Sequence, residues 1–223
     1  KARLMDRALK LIADNGGFGP QVKTLALKVN AAWARTPEQG ANTHPDLVHA
    51  FIKGVKPMGV GKVVAPEHTC MPARTTFPRS GIEDAVTGAG GELIDLRDRG
   101  DWQTVKLPKG KTLTEAQVDS RILEADALVN MPVAKHHGGA TLTMAMKNWM
   151  GAVKDRGAWH RGGLHQCIAD FATFIKPTWT LIDATRTMMD HGPQGPARTL
   201  KTPNLLVVSR DRDVQPLPDA NAR

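Results

Sequence analysis

The sequence predicts an α/β protein: a mainly parallel sheet flanked by helices, in one domain spanning residues 1–223. Short apolar segments typical of strands alternate along the chain with segments whose apolar residues recur at helical spacing. The length of 223 residues fits one large domain. Hydrophobic residues make up 41% and charged residues 23%, a balance that is typical of a folded globular protein and excludes a disordered one.

The first half of the chain predicts three helices and three strands. The chain opens with a helix, because Leu4, Ala8 and Leu11 lie on one helical face. The segments that follow are a strand at 25–29, a helix from Pro45, a strand at 62–65, a loop at 66–78, a helix from the capping box at 80–83 and a strand at 93–96.

The second half continues the alternation. The apolar run at 127–131 predicts a buried strand, which leads directly into Lys135, His136 and His137. The segment at 102–107 predicts a small inserted hairpin or an added edge strand. The remaining predicted elements are helices at 142–150 and 164–175 and strands at 179–183 and 205–209.

Charge and composition exclude several partners. Thirty Lys and Arg against 22 Asp and Glu give a net charge of +8, but no basic block and no basic-aromatic alternation occurs, so we expect no nucleic-acid partner. No run of 18 apolar residues occurs, so we expect no membrane span. The chain contains no tyrosine, which excludes tyrosine catalysis.

The number of cysteines and the absence of several motifs exclude some cofactors and argue against some enzyme classes. Cys70 and Cys167 cannot hold a four-cysteine iron–sulfur cluster, and the sequence leaves open whether they form a disulfide or stay free thiols. The phosphate-binding P-loop, the dinucleotide-binding glycine motif, the nucleophile elbow and the HExxH motif are absent. These absences argue against ordinary NTPases, Rossmann dehydrogenases, α/β-hydrolases and zinc proteases.

Polar side chains follow several predicted strands. Ligands of parallel sheets bind beyond the carboxyl ends of the strands, so residues at those ends are expected to meet at one edge. The residues that follow the strands are Lys28 and Asn30; Glu67, His68 and Cys70; Lys135, His136 and His137; Asp183, Thr185, Arg186 and His191; and Asp211 and Asp213. Their convergence predicts a ligand site.

Histidines near this edge suggest a metal. His137, His160 and His165 predict a three-histidine metal site, and a transition metal is the cofactor that such a set would hold. Adjacent side chains point to opposite faces of a strand, so only one of His136 and His137 is expected to face a given ligand.

Four segments of the chain follow a known family pattern. Leu27-Lys-Val-Asn30 and Asn42-Thr-His-Pro45 resemble the opening KPN … T-x-P pattern of the domain of unknown function 362 family. The segment at 129–138 is similar to its N-x-P-x-x-K-x-H pattern, and the segment at 142–151 to its T-L-x-x-K-N-x-x-G pattern. The resemblance runs from about residue 25 to residue 209, and later family positions follow in the expected order.

The resemblance implies a set of polar site residues. Val29 replaces the family's first proline, and Asp211-Arg-Asp-Val214 replaces its usual D-P-V-A-V-D segment, so we expect the C-terminal part of the family domain to be absent or divergent. Some family members are iron–sulfur proteins with ferredoxin cysteines that this chain lacks. The positions carried over are Lys28, Asn30, Lys135, His137, Lys147, Asn148, His160 and Asp183.

Two functions remain open at this point. In the first, the protein binds an anionic small ligand, with or without a metal, in a redox-related or other reaction. Positive charge for this ligand comes from Lys28, Lys135 and Lys147, and hydrogen bonds come from Asn30 and Asn148. If the protein is an enzyme, His137 or His160 is the expected acid/base, oriented by Asp183. In the second, the chain is a non-catalytic accessory protein that binds a protein partner in an exported redox complex. Because some relatives are exported, we expect a periplasmic or exported location, and a cytoplasmic one otherwise.

Overall fold

The computed structural model describes residues 1–210. Within this range the strands, in chain order, are β1 (Val22–Val29), β2 (Val60–Glu67), β3 (Glu92–Asp95), β4 (Trp102–Lys106), β5 (Glu115–Asp119), β6 (Ala127–Met131), β7 (Val133–His137), β8 (Thr141–Thr143), β9 (Trp179–Met188), β10 (Leu200–Lys201) and β11 (Leu205–Ser209).

The helices alternate with these strands. In chain order they are α1 (Ala2–Asp14), α2 (Pro45–Val55), α3 (Ala73–Ser80), α4 (Ile82–Gly88), α5 (Leu96–Arg99), α6 (Ser120–Leu123), α7 (Ala145–Asn148), α8 (Arg156–Arg161) and α9 (Leu164–Phe174). Short 3₁₀ turns lie at Pro37–Gln39, Lys56–Met58, Trp149–Ala152 and Ala197–Thr199. None of the helices in residues 1–210 has the length and apolar character needed to cross a bilayer.

The central sheet is mainly parallel, as predicted. Its main path runs β3-β2-β1-β6-β9-β7-β8, and β10 and β11 pair with β9. The pairs of β1 with β2 and β6, of β2 with β3, and of β9 with β6 and β7 are parallel, whereas β8, β10 and β11 run antiparallel to their neighbours. The predicted hairpin is present as the antiparallel pair of β4 and β5.

Strands β6 and β7 form one nearly continuous line across Pro132. β6 pairs with β1 on one side and with the start of β9 on the other, and β7 continues along the second half of β9. Asp183 donates its backbone N–H to the Pro132 carbonyl at 2.8 Å, so β9 stays in register across the junction. Because β1 ends at Val29, β7 extends beyond it and leaves a recess above the end of β1.

Apolar side chains cover both faces of the sheet. One cluster joins the β1 residues Leu25, Leu27 and Val29 to buried residues of α1, α2 and α4. The second cluster joins alternate strand residues to α9 and the turn after α7. Alternating strand positions thus feed two cores, which is expected for a parallel sheet covered on both faces. Lys28 lies on the second face, in register with Asn130 of β6.

Two sequence predictions about elements are wrong. The segment at 66–78 is not only a loop, because Glu67 ends β2 and α3 begins at Ala73 with Pro78 inside it. The predicted helix at 142–150 is divided into β8, α7 and a 3₁₀ turn. Met144, with φ −155° and ψ −145°, interrupts the helical backbone there, and Leu142 is 44% exposed rather than buried.

Candidate functional site

A cavity of about 510 Å³ lies in the recess above the end of β1. Backbone and side chains from β2, β7, β8, α7 and α8 surround it, in agreement with the rule that ligands of parallel sheets bind beyond the strand ends. Its lining residues are Asn30, Ala32, Trp33, Glu67, Cys70, Lys135, His137, Thr143, Lys147, Asn148, Met150, Gly151, Arg156, Gly157, His160 and Pro193.

A buried ion pair lies at the inner end of this pocket. Lys28 Nζ donates to Glu67 Oε2 at 2.8 Å, and both side chains are almost completely removed from solvent. The same Glu67 oxygen accepts the Ala31 backbone N–H at 3.0 Å. Burial lowers the pKa of Lys28, and Glu67 opposes that shift. Lys28 is not among the residues that line the cavity, and its positive charge is neutralised inside the protein by Glu67.

Three asparagines fix the pocket floor. Asn30 Nδ2 donates to Asn148 Oδ1 at 3.0 Å, and Asn148 Nδ2 donates to Asn130 Oδ1 at 2.8 Å. Asn130 Nδ2 in turn donates to the Ala145 carbonyl at 2.8 Å. This chain of hydrogen bonds joins the ends of β1 and β6 to α7 and satisfies buried amides that would otherwise cost free energy.

Lys135 lies in β7 and is only 1% exposed. Its Nζ donates to Asn30 Oδ1 at 2.9 Å and to the Ala41 carbonyl. Burial, reinforced by repulsion from Lys147, lowers the pKa of Lys135 to about 7. The ammonium and the neutral amine of Lys135 are therefore both populated near neutral pH.

Lys147 lies in α7 and is half-buried at the cavity wall. Its Nζ makes no hydrogen bond and no ion pair with any of the residues 1–210. Burial lowers the pKa of Lys147 as well, with Arg156 and Lys28 adding repulsion. Lys147 is therefore a cation in the pocket that lacks an anionic partner among the described residues.

The hydrogen bonds of His137 define its tautomer. Its Nδ1 accepts the backbone N–H groups of Gly139 at 3.1 Å and Ala140 at 3.0 Å. An Nδ1 that accepts two hydrogen bonds carries no proton, so the neutral ring has its proton on Nε2. Burial, then repulsion from Lys147, lowers the pKa of His137 to about 4. His137 is thus a neutral Nε2–H donor at physiological pH.

The predicted three-histidine metal site is not assembled. His137 and His160 line the cavity, but His165 lies exposed on α9 and outside it. Within residues 1–210, no group of three His, Cys, Asp or Glu side chains is placed to hold a metal ion. The tautomer of His137 gives a physical reason, because its protonated Nε2 offers no lone pair to a metal.

The structure places Asp183 away from the two histidines that we expected it to orient. Its Oδ1 accepts the Thr185 backbone N–H and hydroxyl at 2.9 and 2.6 Å, and its Oδ2 accepts the His44 N–H at 2.8 Å. Arg186 lies 3.9 Å from Oδ2. These contacts hold the middle of β9 against the start of α2, so Asp183 does not orient His137 or His160.

Arg156 and Thr143 are lining residues with polar side chains that were not among the sequence candidates. Arg156 Nη1 and Nη2 donate to the His68 and Thr69 carbonyls at 2.7 and 2.9 Å, and Nη1 lies 3.4 Å from Cys70 Sγ. Thr143 is 2% exposed, and its Oγ1 is buried without a hydrogen-bond partner. Arg156 follows the helix that we predicted at 142–150, and Thr143 lies within it, so neither was at a predicted strand end.

The remaining strand-end candidates are dispersed. Cys70, exposed at the pocket, and Cys167, buried in the second core, are both free thiols, which decides the disulfide question left open above. His191 is exposed and pairs with Asp190 at 3.1 Å. Asp211, Asp213 and the divergent segment to Val214 lie outside the described residues.

The family model for the domain of unknown function DUF362 matches residues 25–213. The chain belongs to the DUF362 family. The match covers every residue that lines the pocket, from Asn30 to Pro193.

Related proteins are longer and distant in sequence. A thylakoid-associated protein of Synechocystis is 23% identical over 194 residues, which cover 82% of this chain and 59% of that protein. The lactate racemase apoprotein of Thermoanaerobacterium thermosaccharolyticum has 16% identity and a TM-score of 0.52, covering 94% of this chain and 52% of that one. A Thermotoga maritima protein has 12% identity and a TM-score of 0.54, covering 96% and 56%. The chain therefore spans between half and two thirds of their lengths and shares the fold of the two solved structures.

Proposed function

We propose that this DUF362 protein binds a small anionic ligand, with a carboxylate or phosphate group, in the pocket above β1. The observation that carries the proposal is Lys147, a half-buried cation that no anion of residues 1–210 neutralises. The cavity wall holds the cations Lys147 and Arg156 and the partly protonated Lys135, against one carboxylate, Glu67, which is already paired with Lys28. A bound anion would offset this excess of positive charge.

The pocket also offers neutral donors for such a ligand. The Nε2–H of His137 and the unpaired hydroxyl of Thr143 both belong to lining residues. An anionic oxygen that accepted from Thr143 would satisfy a buried group whose desolvation otherwise costs free energy. His160 is exposed at the cavity wall and is the remaining candidate for an acid/base residue. A volume of about 510 Å³ suits a small metabolite.

One structural neighbour suggests which anion to test first. The name lactate racemase gives lactate, a small carboxylate, as the substrate of that protein. A carboxylate would suit the charge of this chain's own cationic pocket at the strand ends. We therefore test carboxylates alongside inorganic phosphate.

The proposal is tested by isothermal titration calorimetry with lactate, pyruvate and inorganic phosphate. We expect one of these anions to bind at a single site, and Lys147→Gln to weaken its binding at least about tenfold, since a charge-assisted hydrogen bond contributes more than about 1.4 kcal/mol. The matched control is Lys109→Gln, which removes an exposed lysine far in sequence from the pocket and should leave binding unchanged. Equal binding by all three proteins, or none by the unaltered chain, would contradict the proposal.

A further inference from the structure

Lys135 differs from the other cations of the pocket in how its amino group is bonded. Its Nζ has two hydrogen-bond acceptors, Asn30 Oδ1 and the Ala41 carbonyl, and no third partner within residues 1–210. A neutral amine has two N–H bonds and one lone pair, whereas an ammonium has three N–H bonds. The site therefore satisfies every donor of the neutral amine but leaves one donor of the ammonium unpaired in a buried position.

The surroundings hold this amine in place. Asn30 is itself fixed by its donation to Asn148 Oδ1 at 3.0 Å, and its backbone N–H donates to Thr43 Oγ1 at 2.9 Å. Lys135 is anchored in β7 by pairing with Thr143 of β8 and Met188 of β9. A side chain that is 1% exposed and bonded at both N–H groups has little rotamer freedom left.

A buried, neutral and positioned lysine amine beside a second cation is the arrangement that activates lysine as a nucleophile. Lys135 lines the cavity, and Lys147 lies near enough to act on it electrostatically. We infer that Lys135 forms a Schiff base with a carbonyl compound that carries a carboxylate, of the 2-oxo acid class, whose carboxylate faces Lys147. This inference rests on the proposed anion site and names the substrate class of that same pocket.

The step is balanced without any further reactant. The Nζ lone pair forms a bond to the carbonyl carbon, and the carbon–oxygen π bond breaks toward oxygen. Loss of the oxygen together with the two amine hydrogens, as one water molecule, leaves a carbon–nitrogen double bond. His137 Nε2–H is a donor at the same wall and can hydrogen-bond the carbonyl oxygen as negative charge develops on it.

The test traps the imine by reduction. The unaltered chain is incubated at pH 7 with pyruvate and sodium cyanoborohydride, and intact mass and peptide mapping locate the reduced adduct. We expect one main adduct, on Lys135, formed at least about tenfold faster than on exposed Lys109, because Asn30 and Ala41 hold the Lys135 amine at the cavity and its pKa of about 7 leaves about half of it neutral. Lys135→Arg should abolish this adduct, and Lys147→Gln should slow it.

Calorimetry with pyruvate under the same conditions separates the two proposals. Pyruvate binding without a faster adduct on Lys135 would overturn the Schiff base and leave the anion site standing. An absence of binding by lactate, pyruvate and phosphate alike would overturn the anion site itself. Mapping on the unaltered chain needs no variant, so the test stands even if Lys135→Arg does not fold.

Discussion

At the scale of single residues, the Lys28–Glu67 pair shows how a charge is accommodated in the core. Both side chains are almost completely removed from water, so each depends on the other for neutralisation. Glu67→Gln would leave the Lys28 ammonium buried without a counter-charge. We expect a loss of about 3–5 kcal/mol in the free energy of unfolding, measured by urea denaturation.

The exposed pair of Lys106 and Glu115 provides the control for this variant. Its atoms lie 2.6 Å apart, closer than those of the buried pair, but both side chains are well exposed. Because solvent screens exposed pairs, Glu115→Gln should leave the free energy of unfolding nearly unchanged. Equal losses in the two variants would show that burial does not set the strength of the Lys28–Glu67 contact.

Lys135 makes the stability of the protein depend on pH. Its pKa is about 7 in the folded state and near the ordinary lysine value when unfolded, so between these values the unfolded chain binds more protons. The free energy of unfolding should therefore rise from pH 7 toward pH 10, by up to about 1.4 kcal/mol per pH unit from this residue. Below about pH 6 both states are protonated, so its contribution is constant and unfavourable.

Urea denaturation of the unaltered chain and of Lys135→Met at pH 6, 7, 8 and 9 checks this. The variant loses two hydrogen bonds at every pH, so the informative quantity is the change with pH of the difference between the two proteins. We expect this difference to change little between pH 6 and 7 and to move more steeply in favour of the unaltered chain above pH 7. A difference that stays constant up to pH 9 would contradict the prediction.

The sequence predicted a large part of the pocket at this scale, but not how its residues interact. Strand ends and family motifs together placed Asn30, Lys135, Lys147 and Asn148, and the structure brings all four to one cavity. The same reasoning assigned Lys28 to the ligand, whereas in the structure Lys28 forms an ion pair with Glu67. Which cation has an anionic partner depends on distances between segments that are far apart in sequence. The spacing of residues within one segment does not predict those distances.

At the scale of elements, the 3₁₀ turn at Trp149–Ala152 closes over the buried ion pair. A Cβ at Gly151 would overlap Glu67 Oε1 and lie 2.7 Å from Lys28 Nζ. Gly151→Ala should therefore displace the turn or the pair and destabilise the protein by about 1–3 kcal/mol in denaturant unfolding. It should also weaken anion binding, since Gly151 lines the cavity.

Gly88 at the end of α4 is the matched control for this substitution. A Cβ there would meet only His49, at 4.0 Å, and its backbone is not left-handed. Gly88→Ala should be neutral or slightly stabilising, because alanine restricts the unfolded chain more than glycine does. A Gly151→Ala protein as stable as Gly88→Ala would show that the turn accommodates a methyl group without strain.

Regular elements were predicted more reliably than the short ones around the pocket. The strand at 205–209 and the helix at 164–175 match β11 and α9 closely, because apolar periodicity dominates in elements that pack on a core. The segment at 142–150 was predicted as a single helix, but pairing of Thr141–Thr143 with β7 overrides its helical spacing. Tertiary pairing of this kind is not visible in a local pattern.

At the scale of the whole molecule, part of the positive charge behind the net charge of +8 is concentrated at the cavity. Lys147, Arg156 and the partly protonated Lys135 converge on one cavity whose single carboxylate is already paired, and an anion would meet this concentration of positive charge. The sequence predicted that Lys135 and Lys147 would lie at this edge, but it did not predict Arg156. The sheet places Lys135 there, because β7 extends beyond β1 and carries this residue over the recess at the strand ends.

The sheet also has an exposed edge. β11 pairs with β9 on one side, and among residues 1–210 no other strand pairs with residues 205–208. Leu205 and Val207 project from it and are 56% and 49% exposed, while Leu206 and Val208 pack on the first core. A strand at the edge of a sheet that exposes apolar side chains favours pairing between molecules. We expect concentration-dependent self-association, measured by light scattering after size-exclusion chromatography.

The double variant Leu205→Lys and Val207→Lys should reduce this association, because lysines at a strand edge oppose pairing between molecules. Leu11→Lys is the control, since Leu11 is 44% exposed but lies on the helix α1 and offers no strand edge. The double variant should keep its affinity for the pocket anion, because neither residue lines the cavity. Equal reduction by Leu11→Lys would assign the association to general surface hydrophobicity, and no reduction by the double variant would exclude the β11 edge as its cause.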